Sequence, residues 1–227
     1  MRNLLPFAAL LALSPAAALA QTAQPAEPAT APNAAGLVNV TVTTSWGPIV
    51  IAVDKEHAPI TAANFLKYVD QKRLDGVNFY RAVKIQDNFG FIQFGTGNDP
   101  KRTLPPIPHE PTSKTGLSHV DGAISMAMGK PGTAAGDFFI IVGNLSTMDA
   151  TTTDPGYAVF GHVVSGMDLV HRIMEAPTSQ TRGEGVMKGQ MLEPTIKVLT
   201  VRRSPPPSAK TPEPVVTPSP TAPPSGN

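Results

Sequence analysis

Two polar side chains stand out within an aromatic, strand-like stretch from Val77 to Gly95 (VNFYRAVKIQDNFGFIQFG). Arg81 follows two aromatic residues, and Gln93 lies between apolar neighbours. Burying a guanidinium or an amide without partners is costly, which makes both side chains candidates for a binding or catalytic site that works by hydrogen-bond donation. The alternative is that Arg81 extends to solvent and Gln93 points outward. Because charged residues are rarely fully buried, these two residues alone favour the alternative.

Other catalytic patterns are weak or absent. The sequence contains no Gly-rich phosphate loop and no nucleophile elbow. Ser118, His119 and Asp121 are close in sequence and could be interpreted as a catalytic triad. A triad requires partners that converge in space, which nearness in sequence does not indicate, so this interpretation is not favoured. The histidines occur singly rather than in clusters, so we expect no metal site and no cofactor: His57, His109, His119, His162 and His171.

Hydrophobic periodicity predicts about eight strands and two helices. Helical spacing over 59–71 and 166–175 predicts the helices, which are far apart in sequence. Apolar alternation or short apolar runs predict strands over 37–45, 49–53, 123–128, 137–142, 157–164 and 195–201, together with two more between 77 and 95.

The order of these elements constrains the fold class. Strands and helices do not alternate, so a parallel α/β sheet is not expected. Hairpins and long loops favour an antiparallel barrel or sandwich, and one helix at each open end would seal a barrel that has no free edge. The long polar stretch 98–119 is predicted to be a loop.

Composition divides the chain of 227 residues into four parts. Residues 1–20 resemble a secretory signal peptide, with Arg2 before an apolar run and Ala18-Leu19-Ala20 as the cleavage site. Residues 21–36 and 203–227 are rich in proline and lack apolar periodicity, so we expect a linker and a disordered tail. Residues 37–202 form the predicted domain. The protein is therefore expected to be periplasmic or secreted, without stable membrane insertion.

The net charge limits the expected partners, and the cysteine content limits the sources of stability. The formal net charge is +1, which argues against nucleic acid or an anionic membrane as the main partner. The chain has no cysteine, so no disulfide can stabilise it in an oxidising compartment and its stability must come from one core. We expect a monomer.

Five stretches, in this order and spacing, resemble the cyclophilin family of peptidyl-prolyl isomerases. The resemblance covers about residues 38–202 and implies an eight-stranded antiparallel closed barrel capped by two α-helices. The stretches are Ala58–Phe65 (APITAANF), Phe79–Arg81 (FYR), Gly122–Met128 (GAISMAM), Gly136–Val142 (GDFFIIV) and Tyr157–Gly166 (YAVFGHVVSG).

The resemblance implies a role for each candidate residue and reverses the assessment of Arg81. Arg81 takes the place of the catalytic arginine, and Gln93 takes the place of the glutamine that helps to hold the substrate. Phe139 takes the place of the aromatic floor of the proline pocket. Further substrate-binding positions are Phe91, Ala127, Met128, Asp137, Met148 and Tyr157.

The resemblance also implies the activity, which is peptidyl-prolyl isomerisation of exported, unfolded or Pro-containing polypeptides. Asp137 and Met128 depart from the family, which has glutamine and asparagine at those positions. The carboxylate of Asp137 is expected either to pair with Arg81 and weaken its donation, or to fix its orientation. The alternative function is a catalytically weak binding module or chaperone for Pro-containing segments, which these two departures favour.

Overall fold

The structure is a computed structural model, and it describes residues 36–205. The predicted signal peptide, all of the predicted linker except Gly36, and the tail beyond Pro205 lie outside the described residues and stay predictions. Helices lie at Pro59–Asp70 (α1), Thr112–Thr115 (α2) and Met167–Met174 (α3). Strands lie at Leu37–Thr44 (β1), Gly47–Asp54 (β2), Asn78–Gln86 (β3), Phe89–Gly95 (β4), Ala123–Met126 (β5), Asp137–Val142 (β6), Ala158–Ser165 (β7), Thr178–Ser179 (β8) and Met191–Arg203 (β9).

Eight of the strands close into an antiparallel barrel. Their order is β1-β2-β7-β5-β6-β4-β3-β9, and pairing of β9 with β1 closes the ring. The two-residue strand β8 adds to the outer side of β9. The predicted barrel and its two capping helices are therefore confirmed. Strand β8 and the four-residue helix α2 were not predicted because segments this short show no periodicity.

Aromatic side chains fill the barrel and attach helix α1 to it. Phe65 of α1 packs edge-on against Phe138 of β6, with 5.0 Å between ring centroids, and in a tilted arrangement against Phe160 of β7, with 5.2 Å between centroids. These rings are fully buried. Each buried phenylalanine stabilises the fold by roughly 1.5–3 kcal/mol of apolar burial, and each edge-on pair adds about 0.5–1.5 kcal/mol. The helical stripe seen in the sequence is thus the face that closes the barrel.

The long loop between β4 and β5 fixes the start of α1. Helix α1 begins at Pro59 without a side-chain cap from Ala58. Buried Glu110 supplies the missing acceptor: its carboxylate accepts hydrogen bonds from the backbone N–H groups of Ile60 (3.2 Å) and Thr61 (2.9 Å) and from the Thr61 hydroxyl (2.8 Å). A carboxylate at this end also complements the helix dipole. The loop therefore has a structural role.

Candidate active site

One row of residues across three neighbouring strands places the predicted site on the outer face of the barrel. Arg81 of β3 lies opposite Gln93 of β4, which lies opposite Phe139 of β6. Directly opposed residues point to the same face and lie about 4.5–5.5 Å apart, so the three side chains meet. The adjacent pair Phe94 and Phe138 points the other way, into the core.

A β-bulge in β3 provides the site with an additional side chain. Phe79 pairs with Phe94 and Arg81 pairs with Gln93, so β3 contains one residue more than β4 at this point. The additional residue is Tyr80, and both Tyr80 and Arg81 line the external cleft while Phe79 is buried in the core. Bulges of this kind are common next to active sites, where they redirect a side chain. The phenolic hydroxyl of Tyr80 donates a hydrogen bond to Asp137.

Two amide oxygens hold the guanidinium of Arg81. Gln93 Oε1 accepts a hydrogen bond from Nη1 at 3.0 Å, while Gln190 Oε1 accepts from Nε at 2.9 Å and from Nη2 at 2.6 Å. The Arg81 guanidinium carbon lies 5.4 Å from the centroid of the Phe91 ring. Burial lowers the pKa of Arg81, although an arginine keeps its charge in proteins. A cation oriented by neutral groups keeps its full charge for a substrate.

An apolar pocket adjoins the guanidinium. The Phe139 ring lies 5.2 Å from that of Phe91 and 5.5 Å, at 90°, from that of Tyr157. Only 2% of Phe139 is exposed, so it forms the floor, and half-buried Phe91, Met148 and Tyr157 form walls. All nine predicted site residues line one cleft of about 790 Å³: Arg81, Phe91, Gln93, Ala127, Met128, Asp137, Phe139, Met148 and Tyr157.

Asp137 does not contact Arg81, and the expectation that the two would form a pair is wrong. Asp137 Oδ1 instead accepts hydrogen bonds from the hydroxyl of Tyr80 and from the N–H of Gly97, both at 3.0 Å. The reason is the bulge, which places Tyr80 next to Asp137 and keeps Arg81 on the neighbouring row. Burial raises the pKa of Asp137, and it also raises the pKa of Tyr80, together with the nearby Asp137 charge.

Sequence reasoning missed Gln190. It lies in the segment before β9, which has no strand or helix pattern, and it is 109 residues from Arg81. Its backbone carbonyl accepts a hydrogen bond from Ala82 N–H at 2.9 Å, next to the bulge. Gln190 therefore holds both the β3 backbone and the Arg81 side chain. The contact forms only when β9 pairs with β3, so the sequence carries no local signal for it.

Replacing Gln190 with leucine is expected to lower kcat by about tenfold with little change in KM, because a misoriented donor loses transition-state stabilisation. The apolar side chain removes two hydrogen bonds to Arg81. Steady-state kinetics on a proline-containing peptide measure both constants. Gln86→Leu, at the exposed end of β3, is the matched control. Wild-type kcat in Gln190→Leu would show that Gln93 alone orients the guanidinium.

A buried hydrogen-bonded cluster supports the pocket floor from behind. His119 Nδ1 contacts Asp149 Oδ1 at 2.5 Å, and Nε2 contacts the Ser125 hydroxyl at 3.0 Å. The predicted neighbour Asp121 bonds elsewhere, to Gly143 N–H at 2.7 Å. The serine–histidine–aspartate contacts exist, but Ser125 and His119 are 0% exposed, so no substrate reaches them. The His119 ring stacks on Phe139 at 6.0 Å and 8°.

This cluster predicts acid sensitivity. Burial lowers the pKa of His119, so below about pH 6.5 the unfolded chain binds more protons than the folded chain. The stabilisation is therefore present above that pH and is lost as pH falls towards the folded pKa, with a slope of up to about 1.4 kcal/mol per pH unit. For Asp149, burial alone would raise the pKa, but hydrogen bonds from Ser118 and His119 lower it, so its contribution is lost only in more acidic solution.

We expect the free energy of unfolding of His119→Asn to change less between pH 7 and pH 5 than that of the wild type. Urea titrations at several pH values measure it. His162→Asn, at an exposed position of β7, should keep the wild-type slope. If His119→Asn also keeps the wild-type slope, the origin of the acid sensitivity lies outside this cluster.

Comparison with known proteins places these observations in a family. The family model for "Cyclophilin type peptidyl-prolyl cis-trans isomerase/CLD" matches residues 39–202. A peptidyl-prolyl cis-trans isomerase of Acinetobacter baylyi is 39% identical over 144 residues, covering 62% of this chain and 73% of the relative. Peptidyl-prolyl cis-trans isomerase A of Dickeya dadantii is 37% identical over 145 residues, with the same coverage. The chain belongs to the cyclophilin-type peptidyl-prolyl cis-trans isomerases, and the predicted enzyme class is confirmed.

Solved structures support the fold. A crystal structure of a cyclophilin type peptidyl-prolyl cis-trans isomerase from Cryptosporidium parvum has a TM-score of 0.60 and 20% identity, and the match covers 75% of this chain and 99% of that one. A second structure of that protein was determined in the presence of the dipeptide Ala-Pro.

Within residues 36–205, no three His, Cys, Asp or Glu side chains are placed to bind a metal ion together. None of the helices described there combines the length and apolar character that crossing a bilayer requires.

Proposed function

We propose that this protein accelerates rotation about X–Pro bonds of exported polypeptides, with the guanidinium of Arg81 as the catalytic group. The single observation that carries the proposal is the geometry at Arg81. Its donors are oriented by Gln93 and Gln190 at the rim of an apolar pocket whose floor is Phe139. A proline ring fits the apolar pocket, and its amide then faces the guanidinium.

Rotation of the X–Pro bond requires only binding and electrostatic stabilisation from the protein. Rotation about a peptide bond has a barrier of about 18–20 kcal/mol because amide resonance must be broken, and uncatalysed X–Pro exchange takes roughly tens to hundreds of seconds. No covalent bond is made or broken. The catalyst must bind the twisted amide more tightly than either planar isomer.

Each residue has a distinct task in this scheme. In the twisted state the proline nitrogen regains a lone pair, to which Arg81 donates a hydrogen bond, and the same cation stabilises the neighbouring carbonyl. Gln93, which is 8% exposed, orients Arg81 and helps to hold the substrate. Phe91, Met148, Tyr157 and Phe139 hold the ring and exclude water, which strengthens the electrostatic interaction.

Ala127 and Met128 border the same cleft beyond the end of β5. They are half-buried, and the N–H of Ala127 donates to the carbonyl of Asp137 at 2.9 Å. This bond fixes the segment beside the pocket. We assign Ala127 and Met128 to contacts with the substrate chain on either side of the proline.

A protease-coupled assay tests the function. A protease that cleaves only the trans form of a short Ala-Pro peptide reports the rate of cis-to-trans conversion. Addition of the protein at sub-stoichiometric amounts should increase that rate in proportion to its concentration. Binding of the peptide without acceleration would instead identify a binding module or chaperone. The orientation of Arg81 by neutral acceptors favours the enzyme over that alternative.

The export of the protein is part of the proposal and rests on residues 1–20. Arg2, the apolar run after it and the small residues before Gln21 are the features of a cleavable signal peptide. Expression of the full chain in a bacterium, followed by osmotic shock and N-terminal sequencing, tests this assignment. Release of a chain that begins at Gln21 is the expected result. Retention in the cytoplasm with Met1 still present would contradict it.

A further inference from the structure

The cleft continues past the apolar pocket into a second region, which we call the acidic region and define by Tyr80, Gly97, Asn98, Asp99 and Asp137. Asp137 and Phe139 are two residues apart on β6, so their side chains share a face and their Cα atoms are about 6.6–6.8 Å apart. Two residues of an extended peptide span roughly the same distance. An extended substrate that runs along β6 with its proline on Phe139 therefore has a side chain two residues away that faces Asp137.

The carboxylate of Asp137 has no cationic partner among the ion pairs of residues 36–205. Its hydrogen bonds come from neutral donors, the Tyr80 hydroxyl and the Gly97 N–H. It is half-buried, and burial raises its pKa. An anion in this position is costly because it has lost water without gaining a counter-charge.

The arginines that line the cleft have other acceptors. Arg81 donates to two glutamine oxygens. Arg102 lies 3.7 Å from Asp99 and donates to the carbonyls of Arg73 (3.0 Å) and Asp75 (2.6 Å). Arg182 lies 4.0 Å from Glu193. The protein thus leaves one carboxylate of its peptide-binding cleft uncompensated.

We propose that Asp137 makes the acidic region a subsite for a basic side chain, so that the preferred substrates carry lysine or arginine two residues from the proline. The inference rests on the proposed function, because that function places the proline on Phe139. A substrate ammonium or guanidinium gives Asp137 the counter-charge that it lacks within the protein. An acidic side chain at the same position is rejected by like-charge repulsion.

The test compares three peptides that differ only in lysine, glutamine or glutamate at the second residue before the proline, and a second set with the same changes at the second residue after it. For the wild-type chain from Gln21, the ratio of kcat/KM for lysine over glutamate should be roughly tenfold or more in one of the two sets. The ratio should decrease as salt is added.

Two isosteric variants separate charge from structure. Asp137→Asn keeps an oxygen that accepts from Tyr80 and Gly97 but removes the charge, so the lysine-to-glutamate ratio should fall to about twofold or less, whatever the absolute rate of the variant. Asp99→Asn removes the same charge from a carboxylate that already has Arg102 as its partner. This control should keep most of the wild-type ratio.

The outcomes distinguish the inference from the function on which it rests. A wild-type enzyme that isomerises all six peptides equally would overturn the inference and leave the isomerase function intact, as would a ratio that survives in Asp137→Asn. If the wild type accelerates none of them, the proposed function fails, and fluorescence anisotropy with the same labelled peptides decides the inference. A tenfold tighter Kd for lysine than for glutamate, lost in Asp137→Asn, would support it, whereas equal Kd values would overturn it.

Discussion

Replacing Arg81 with alanine is expected to lower kcat/KM for an Ala-Pro peptide by roughly 10²- to 10³-fold, the usual cost of removing a preorganised hydrogen-bond donor to a transition state. The loss should be mainly in kcat, because the planar isomers bind chiefly through the apolar pocket. The protease-coupled assay measures both constants. The fold should persist, because the side chain is half-buried and its partners, Gln93 and Gln190, are neutral amides that water can hydrate.

Arg81→Lys sharpens the test. Lysine keeps the charge, but its ammonium cannot bond to both glutamine oxygens and also present a fixed planar donor, so activity should stay at least about tenfold below the wild type. Arg172→Ala is the matched control, since Arg172 lies over Trp46 at 4.9 Å and is not a residue of the cleft. Wild-type activity in Arg81→Ala would refute the mechanism. Loss of activity together with the circular dichroism spectrum would mark Arg81 as structural.

The barrel was predictable because most of its strands carry a local signal. Residues 37–44 alternate between core and surface, and Asp137–Val142 is an apolar run. At the site, however, strand alternation fails. Tyr80 and Arg81 are consecutive and both line the cleft, which strict period-2 alternation does not permit. The bulge that resolves this conflict depends on pairing with β4, so strand periodicity could not place Arg81 in the cleft, and only the resemblance to a family predicted that position.

Contacts that depend on which strands pair could not be predicted. Gln190 is 109 residues from Arg81, and Asp149 is 30 residues from His119. No local pattern connects the members of either pair, because the contacts form only when β9 pairs with β3 and when β5 pairs with β6. The partner of Asp137 was predicted wrongly for a related reason. The resemblance to the family suggested that Asp137 lies near Arg81, whereas the bulge places Tyr80 between the two rows.

The second large effect is expected at Phe139. Replacing it with alanine should lower the free energy of unfolding by about 3–5 kcal/mol, because a buried aromatic ring leaves a cavity. The same change removes the floor of the apolar pocket, so the proline loses its main contact and the site admits water beside Arg81. We expect kcat/KM to fall by roughly 100-fold in the fraction that stays folded. Urea titration measures the stability, and the assay is run at a temperature where the variant is folded.

Phe138→Ala separates the two effects, because Phe138 is the next residue on β6 and points into the barrel. Its ring packs against Phe65 at 5.0 Å and against Phe94 at 5.7 Å and takes no part in the cleft. Phe138→Ala should therefore lose a similar amount of stability and keep most of its kcat/KM while folded. If both variants lose activity in the same proportion, the loss reflects a general loss of packing and rigidity in the sheet. If Phe139→Ala alone loses activity, the ring itself contributes to binding, and Phe139→Leu should recover part of it by refilling the floor.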